Sequence, residues 1–320
     1  MPSYTAKQIA AWLYKKKVFS IDEMTDISLA RREKLKETCE LGRIPYTQLQ
    51  KSADGTVKYL FPVSGNSYIE TVYIPDKERA TLCVSTQVGC KMNCRFCMTG
   101  KQGFIAQLSS TEIMNQILSV PESDSLTNVV FMGMGEPLDN IEALFKSLEI
   151  MTSDYGFGWS PKRITVSTIG LLPCLKRFLE ESQCHLAISI HSPFPEERLS
   201  LMPAEKAHPI EKVVELIKQY DFSHQRRISF EYILFGGFND DLKHAQALAR
   251  LLHGIPCRVN LIKYHAVPGV DLPPTRLEAM VPFRDYLSSK GIISTIRASR
   301  GEDILAACGM LSTKKECEFS

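Results

Sequence analysis

Cys90, Cys94 and Cys97 stand in the run Cys90-Lys91-Met92-Asn93-Cys94-Arg95-Phe96-Cys97, a C-x3-C-x2-C spacing. Three thiolates this close can hold a metal or a cluster on one short loop. A [4Fe–4S] cube usually takes four cysteines. Three leave one iron with an open position, much as a catalytic zinc keeps one site free. Such an iron can bind a small molecule and pass it an electron. A structural zinc with a fourth ligand from elsewhere is the other reading, although no second C-x2-C pair accompanies it. A third reading is three unrelated buried cysteines. Gly133-Met134-Gly135-Glu136-Pro137 is a second candidate. It is not a dinucleotide fingerprint, because Leu138 occupies the third glycine position. Its glycines let backbone approach a ligand, and Glu136 can accept from an amino group. By residue type alone, Cys308 reads as a packed core residue, Cys83 as a buried strand residue, Glu70 as solvent-facing and His191 as a satisfied core or surface histidine.

The elements that must position these residues fall into three stretches. Residues 1–50 read as a small helical domain. Thr5 to Gln8 fits a capping box, with Ile9, Trp12 and Leu13 following at helical spacing. Ser20 to Glu23 offers a second box ahead of a helix at 29–41, which Gly42 and Pro45 end. Residues 51–75 hold two alternating runs, 56–63 and 68–75, with Gly65 and Asn66 between them, a β-hairpin signature. From 76 to 311 strands and helices alternate. Strands are expected at 81–88, 128–135, 163–170, 185–192, 228–235 and 257–264. Helices are expected near 110–120, 140–152, 171–182, 209–220 and 241–253. This alternation predicts an α/β fold with a parallel sheet. Six βα units are too few for a closed eight-stranded barrel, so an open or partial barrel follows, with ligands at the carboxyl ends of its strands. Residues 312–320 form a polar tail.

Composition narrows the class. Of 320 residues 44% are hydrophobic, which excludes a wholly disordered chain. No run of about 18 apolar residues exists to span a membrane. The first residues lack a cationic stretch leading into an apolar one, so a cytosolic protein is expected. The N-terminus also begins close to its first helical motif, with no leader expected. In that setting ten clustered cysteines point to metal or catalysis rather than disulfides. A net charge of +2 leaves any nucleic-acid contact to local patches. The candidates are Lys15-Lys16-Lys17, Arg31-Arg32, Lys162-Arg163, Arg226-Arg227, and Arg297 with Arg300, each also readable as a merely solvated face.

The cysteine run after a first barrel strand resembles the radical S-adenosylmethionine (SAM) superfamily. TLCVSTQVGCKMNCRFCMTGKQGF, VFMGMGEPLDN, ITVSTIG, AISIHSPFPEERLSLMP, FEYILFGGFND, VNLIKYH and IRASRGEDILAACG resemble the RlmN/Cfr family of RNA adenosine methyltransferases, in family order from about 68 to 310. YTAKQIAAWLY resembles its accessory helical domain. The resemblance implies a partial (βα)6 radical SAM barrel with a [4Fe–4S] cluster on Cys90, Cys94 and Cys97, and SAM as methyl donor and radical source. It implies that Cys308 carries the methyl group, that Cys83 resolves the covalent RNA adduct as a disulfide, and that Glu70 accepts a proton. Gly135, Glu136, Ser167, Ser189, Ile190, His191 and Asn260 match SAM contacts. The implied substrates are an adenosine of 23S rRNA near the peptidyl-transferase centre and an adenosine beside certain tRNA anticodons. A flavodoxin-type reductant is implied, and a monomer is the default expectation. The target base must leave its stack to reach such a site.

The family's usual ACGQL reads Ala307-Cys308-Gly309-Met310-Leu311 here. The sixth strand runs NLIKYHAV where proline and asparagine are common, and 104–108 departs from the usual Arg-Asn-Leu. Methylation at carbon 2 is expected from the TQVGC and IETVYIP segments. Cfr-type methylation at carbon 8 is the nearest alternative, since STIG, HSP and EERLSLMP resemble its wording. A zinc-stabilised RNA-binding protein without activity and a glycyl-radical activase are the other readings.

Overall fold

The computed structural model describes residues 3–222 and 227–313. Arg226, Cys317 and most of the polar tail lie outside them.

Helix α1 (Ser3–Ala10) begins two residues before Thr5, so Thr5 lies inside the helix and caps nothing. A π-helical turn, Ala11–Lys15, continues it. The Ser20–Glu23 box is present, but it closes a 3-10 turn, Ile21–Glu23. Helix α2 (Leu29–Thr38) follows. Trp12, Val18, Ile21, Met24, Ile27 and Leu35 form a separate small core there. Polar contacts dock this unit. Lys17 Nζ bonds Ser123 O (2.9 Å) and Asp124 Oδ1 (2.7 Å), and Ile44 exchanges two backbone hydrogen bonds with the Asn115 amide.

Strands β1 (Gln48–Lys51), β2 (Val57–Val63) and β3 (Ser67–Asp76) form an antiparallel meander, and β1 crosses the expected boundary at residue 50. Gly65 and Asn66 both adopt positive φ, as the β2–β3 turn demands. The expected 81–88 run divides into β4 (Arg79–Cys83) and β5 (Gln87–Val88). After β5 come α3 (Met98–Gln102), β6 (Ala106–Gln107), α4 (Ser110–Leu118) and β7 (Asn128–Phe131). Helix α5 (Ile141–Thr152), β8 (Ile164–Thr168), α6 (Leu172–Glu181) and β9 (His185–Ser189) continue the alternation. Then come α7 (Pro195–Leu201), α8 (Ile210–Ile217), β10 (Ile228–Leu234), α9 (Leu242–Leu251) and β11 (Cys257–Lys263). Helix α10 (Leu277–Ser289) and β12 (Ile293–Arg297) add a unit beyond the expected six.

The order β1-β2-β3-β4-β7-β8-β9-β10-β11-β12 makes one open ten-stranded sheet, parallel from β4 onward. The β2–β3 hairpin extends the barrel wall, with β3 paired antiparallel to β4. Strand β12 escaped the periodicity reading because its alternating face is half solvated, and Ser294 and Thr295 dilute its apolar character. Phe131, Val166, Leu186, Phe230 and Val259, one from each of five adjacent strands, are fully buried and fill the core. No helix among the described residues is long and apolar enough to cross a membrane.

Candidate active site

The cysteine loop lies between β5 and α3, at the carboxyl end of the first parallel strand. Asn93 turns it with a positive φ, and Arg95 N–H anchors it to Leu201 O (2.8 Å). Cys90, Cys94 and Cys97 all line one cavity of ≈190 Å³. Burial pushes the Cys90 thiol up to about 12 and the Cys94 thiol well above its ordinary range, and Cys97 is raised as well. The protein alone disfavours the thiolates that a metal needs; a cationic centre would reverse that. Among the described residues no three His, Cys, Asp or Glu side chains converge on a single ion. Three thiols spread around a cavity suit a cluster, in which each thiolate takes its own iron, better than a mononuclear zinc.

The segment after β12 returns to this loop. Met98 N–H donates to Gly309 O (2.7 Å), and Thr99 Oγ1 donates to Leu311 O (2.7 Å). These bonds hold Cys308 on the same cavity wall, and Cys83 at the end of β4 lines it too. Gly309 needs its positive φ of 83° to make that turn. Cys308 is exposed while Cys83 is buried. The surface that Cys308 exposes faces a cavity walled by protein, which is why desolvation still raises its thiol. Burial, and then the neighbouring Cys308 sulfur, push Cys83 up to about 12.

The strand ends supply the polar wall. A Cβ on Gly135 would meet the Gln87 side chain at 2.5 Å, and its φ is +98°. Gln87 Oε1 accepts the Glu136 N–H at 2.8 Å. Glu136 is buried, and desolvation raises its carboxyl to about 7, although Leu138 N–H (3.1 Å) and Ile169 N–H (3.0 Å) donate to it. A cationic ammonium placed there would offset that cost. Burial pushes His191 down to about 3. Its Nδ1 accepts Ile233 N–H (3.0 Å), so the neutral ring carries its proton on Nε2. His191, Ser167 and Ser189 line the cavity with Gly135 and Glu136.

Comparison with known proteins places this geometry. The Radical SAM superfamily model matches residues 84–249, and the ribosomal RNA large subunit methyltransferase N-terminal domain model matches 2–41. A probable dual-specificity RNA methyltransferase RlmN from Parabacteroides distasonis is 64% identical over 319 residues, covering 100% of this chain and 93% of its own. The dual-specificity RNA methyltransferase RlmN of Syntrophus aciditrophicus is 42% identical, covering 97% and 90%. The chain belongs to the RlmN family of radical SAM RNA methyltransferases. A radical SAM methyltransferase from Sphaerobacter thermophilus superposes with a TM-score of 0.92 at 37% identity, covering 98% of this chain and 94% of that one.

Not every residue matched to the RlmN family lies on the cysteine cavity. Ile190 points into the core, with its backbone N–H on Glu231 O. Asn260 stands behind the cavity wall and donates to Glu231 Oε1 at 2.8 Å. Glu70 is buried, not solvent-facing, and lines an adjoining cavity of ≈510 Å³. Its Oε1 pairs with Lys58 Nζ (2.9 Å) and its Oε2 accepts Ser312 N–H (2.8 Å). The Cys308-bearing segment runs between the two cavities: Gly309 and Leu311 face one, Met310 and Ser312 the other. Several candidate RNA cations are engaged internally. Lys17 docks the N-terminal unit, Arg31 donates to Tyr4, Arg163 donates to Thr127 O, and Arg300 lies 3.6 Å from Asp76. Glu231 is a cavity residue that motif reading passed over. Its signal was present: a lone carboxylate inside the apolar run ISFEYILF.

Proposed function

We propose that this enzyme methylates carbon 2 of adenosine in 23S rRNA and in tRNA, with Cys308 as the methyl carrier. The placement of Cys308 on the same cavity wall as Cys90, Cys94 and Cys97 carries this reading. Carbon 2 is an aromatic C–H and no nucleophile. A bound [4Fe–4S] cluster and SAM supply the one-electron chemistry that such a carbon requires. Cys90, Cys94 and Cys97 would hold the cluster. Glu136 receives the SAM ammonium, which relieves its buried carboxylate, and His191 Nε2 offers a hydrogen bond from just beyond β9. Ser167, Ser189 and the Gly135 backbone shape the remaining contact. Cys308 Sγ holds the methyl group and presents it to the base. Once the base is attached through that carbon, Glu70 takes the proton from carbon 2. Cys83 Sγ then attacks Cys308 Sγ: the S–C bond breaks, the methylene carbon keeps that electron pair and takes up a proton matching the one the Cys83 thiol gives up, and the disulfide that forms frees the methylated RNA. Glu70 Oε2 accepts Ser312 N–H, four residues after Cys308, so the proton acceptor and the methyl-carrying segment are directly linked. A flavodoxin-type reductant, a cytoplasmic setting and a monomer complete the reading.

Nucleoside mass spectrometry on rRNA and tRNA tests it. Cells lacking the chain should regain 2-methyladenosine with the intact protein and not with Cys308→Ala. A change in 8-methyladenosine instead would replace this reading with the carbon-8 one.

A further inference from the structure

Arg297, the last residue of β12, lines the cavity between Cys83 and Cys308 on one side and Glu231 on the other. Its side chain is 49% exposed, and it makes no hydrogen bond among the described residues. Among the described residues its ion-pair partner is Glu231 Oε2, 3.7 Å from Nη1, beyond hydrogen-bond length. That oxygen is buried and accepts no hydrogen bond. The other carboxylate oxygen is held firmly: Ser229 Oγ donates to it at 2.9 Å and Asn260 Nδ2 at 2.8 Å, while Thr295 Oγ1 donates to Asn260 Oδ1 at 2.9 Å. Glu231, Asn260 and Thr295 are register partners across β10, β11 and β12, so this chain is built into the sheet. A half-exposed guanidinium with all its donors free, backed by a fixed carboxylate, is oriented for an incoming anion.

Two anions belong to the reaction: the carboxylate of SAM and the phosphates of RNA. Glu136 sits at the β7 end and would hold the SAM amino group. The α-carboxylate shares that group's carbon, so it stays at that end. Arg297 lines the same cavity from the strand five places along the sheet, beside Cys83 and Cys308, where the target base must come. We infer that Arg297 grips a backbone phosphate flanking the target adenosine, with Thr295, Asn260 and Glu231 as the positioning chain that aims it. This rests on the reading of Cys308 as methyl carrier to RNA.

The test uses the full chain with its cluster reconstituted and unreduced, SAM present, and a tRNA anticodon stem–loop carrying the adenosine 3′ of the anticodon. Fluorescence anisotropy over a range of salt concentrations gives RNA affinity. Arg297→Ala should bind roughly tenfold more weakly, with a log–log salt slope smaller by about one. Replacing one flanking phosphate with a neutral methylphosphonate should weaken the intact protein equally and Arg297→Ala no further. Arg297→Lys should keep the salt slope while losing part of the affinity. SAM affinity and the cluster absorption should not move. Unchanged RNA affinity in Arg297→Ala, or losses that simply add, would overturn the inference. A fall in SAM affinity instead would hand Arg297 to the SAM carboxylate. An intact protein that binds neither SAM nor RNA would sink the functional reading itself; one that binds both, with Arg297→Ala alike, would sink only this inference.

Discussion

Two thiols of one cavity wall sit in different surroundings, as the two tasks proposed for them require. Cys308 is exposed on a backbone turn that two hydrogen bonds to the cysteine loop support, whereas Cys83 ends a buried strand. Burial raises the Cys83 thiol to about 12, so Cys83 must give up its proton as it attacks. Cys83→Ala should therefore load its methyl group and attack RNA but fail to let go. A covalent protein–RNA species should accumulate, visible as a slower band on a denaturing gel and absent with Cys308→Ala. Free turnover by Cys83→Ala with no trapped species would remove Cys83 from the mechanism.

At the scale of elements, the strand ends are tied together by a buried cation. Arg198 on α7 is fully buried and pairs with Glu205. Its guanidinium also donates to Ile169 O (2.9 Å), Ser189 O (3.1 Å) and Ile190 O (3.1 Å). These carbonyls lie just beyond β8 and at the end of β9, where the cavity wall forms. Arg198→Ala leaves Glu205 buried with, among the described residues, only Ile210 N–H to satisfy it and removes a donor from each of these carbonyls, of which Ile190 O keeps Ser192 N–H at 2.7 Å. It should lower unfolding free energy by about 3–5 kcal/mol, the usual effect of breaking a buried pair. Urea titration followed by circular dichroism would measure it. A shift below about 1 kcal/mol would show that water replaces the guanidinium there, as for a surface pair.

At the scale of the whole molecule, acid stability has an identifiable source. His185 opens β9, accepts Arg227 N–H on Nδ1 at 2.8 Å, and is pushed down to about 4 by burial and then by Arg227 and Lys162. The unfolded chain takes up this proton near 6.5. Between those values the unfolded state binds more protons, so folding stability falls as pH drops from about 6.5 to about 4. Urea midpoints measured across that window should decline for the intact chain and decline less for His185→Gln. Parallel declines would place the acid sensitivity elsewhere.

Much of the site was legible in the residues. The cysteine spacing, the glycines before Glu136 and the alternation of strands and helices depend on local chemistry and periodicity, which a linear chain displays directly. The six expected parallel strands and the five helices between them appear in the fold for that reason. Other features were settled only by packing. Strand β12 is half solvated and shows little periodicity, yet it supplies Arg297. Glu70 would be an ordinary exposed strand residue until β2 and the segment after Cys308 cover it. Asn260 matches a family contact in the linear text, but sheet register turns its amide to Glu231. Cys308 is more than 200 residues from the cysteine loop. Only the return of the chain after β12, secured by bonds from Met98 and Thr99, brings the thiols to one wall. Residue types and spacing are local properties, whereas burial and the partner that a polar atom meets depend on distant chain, and tertiary structure alone assigns them.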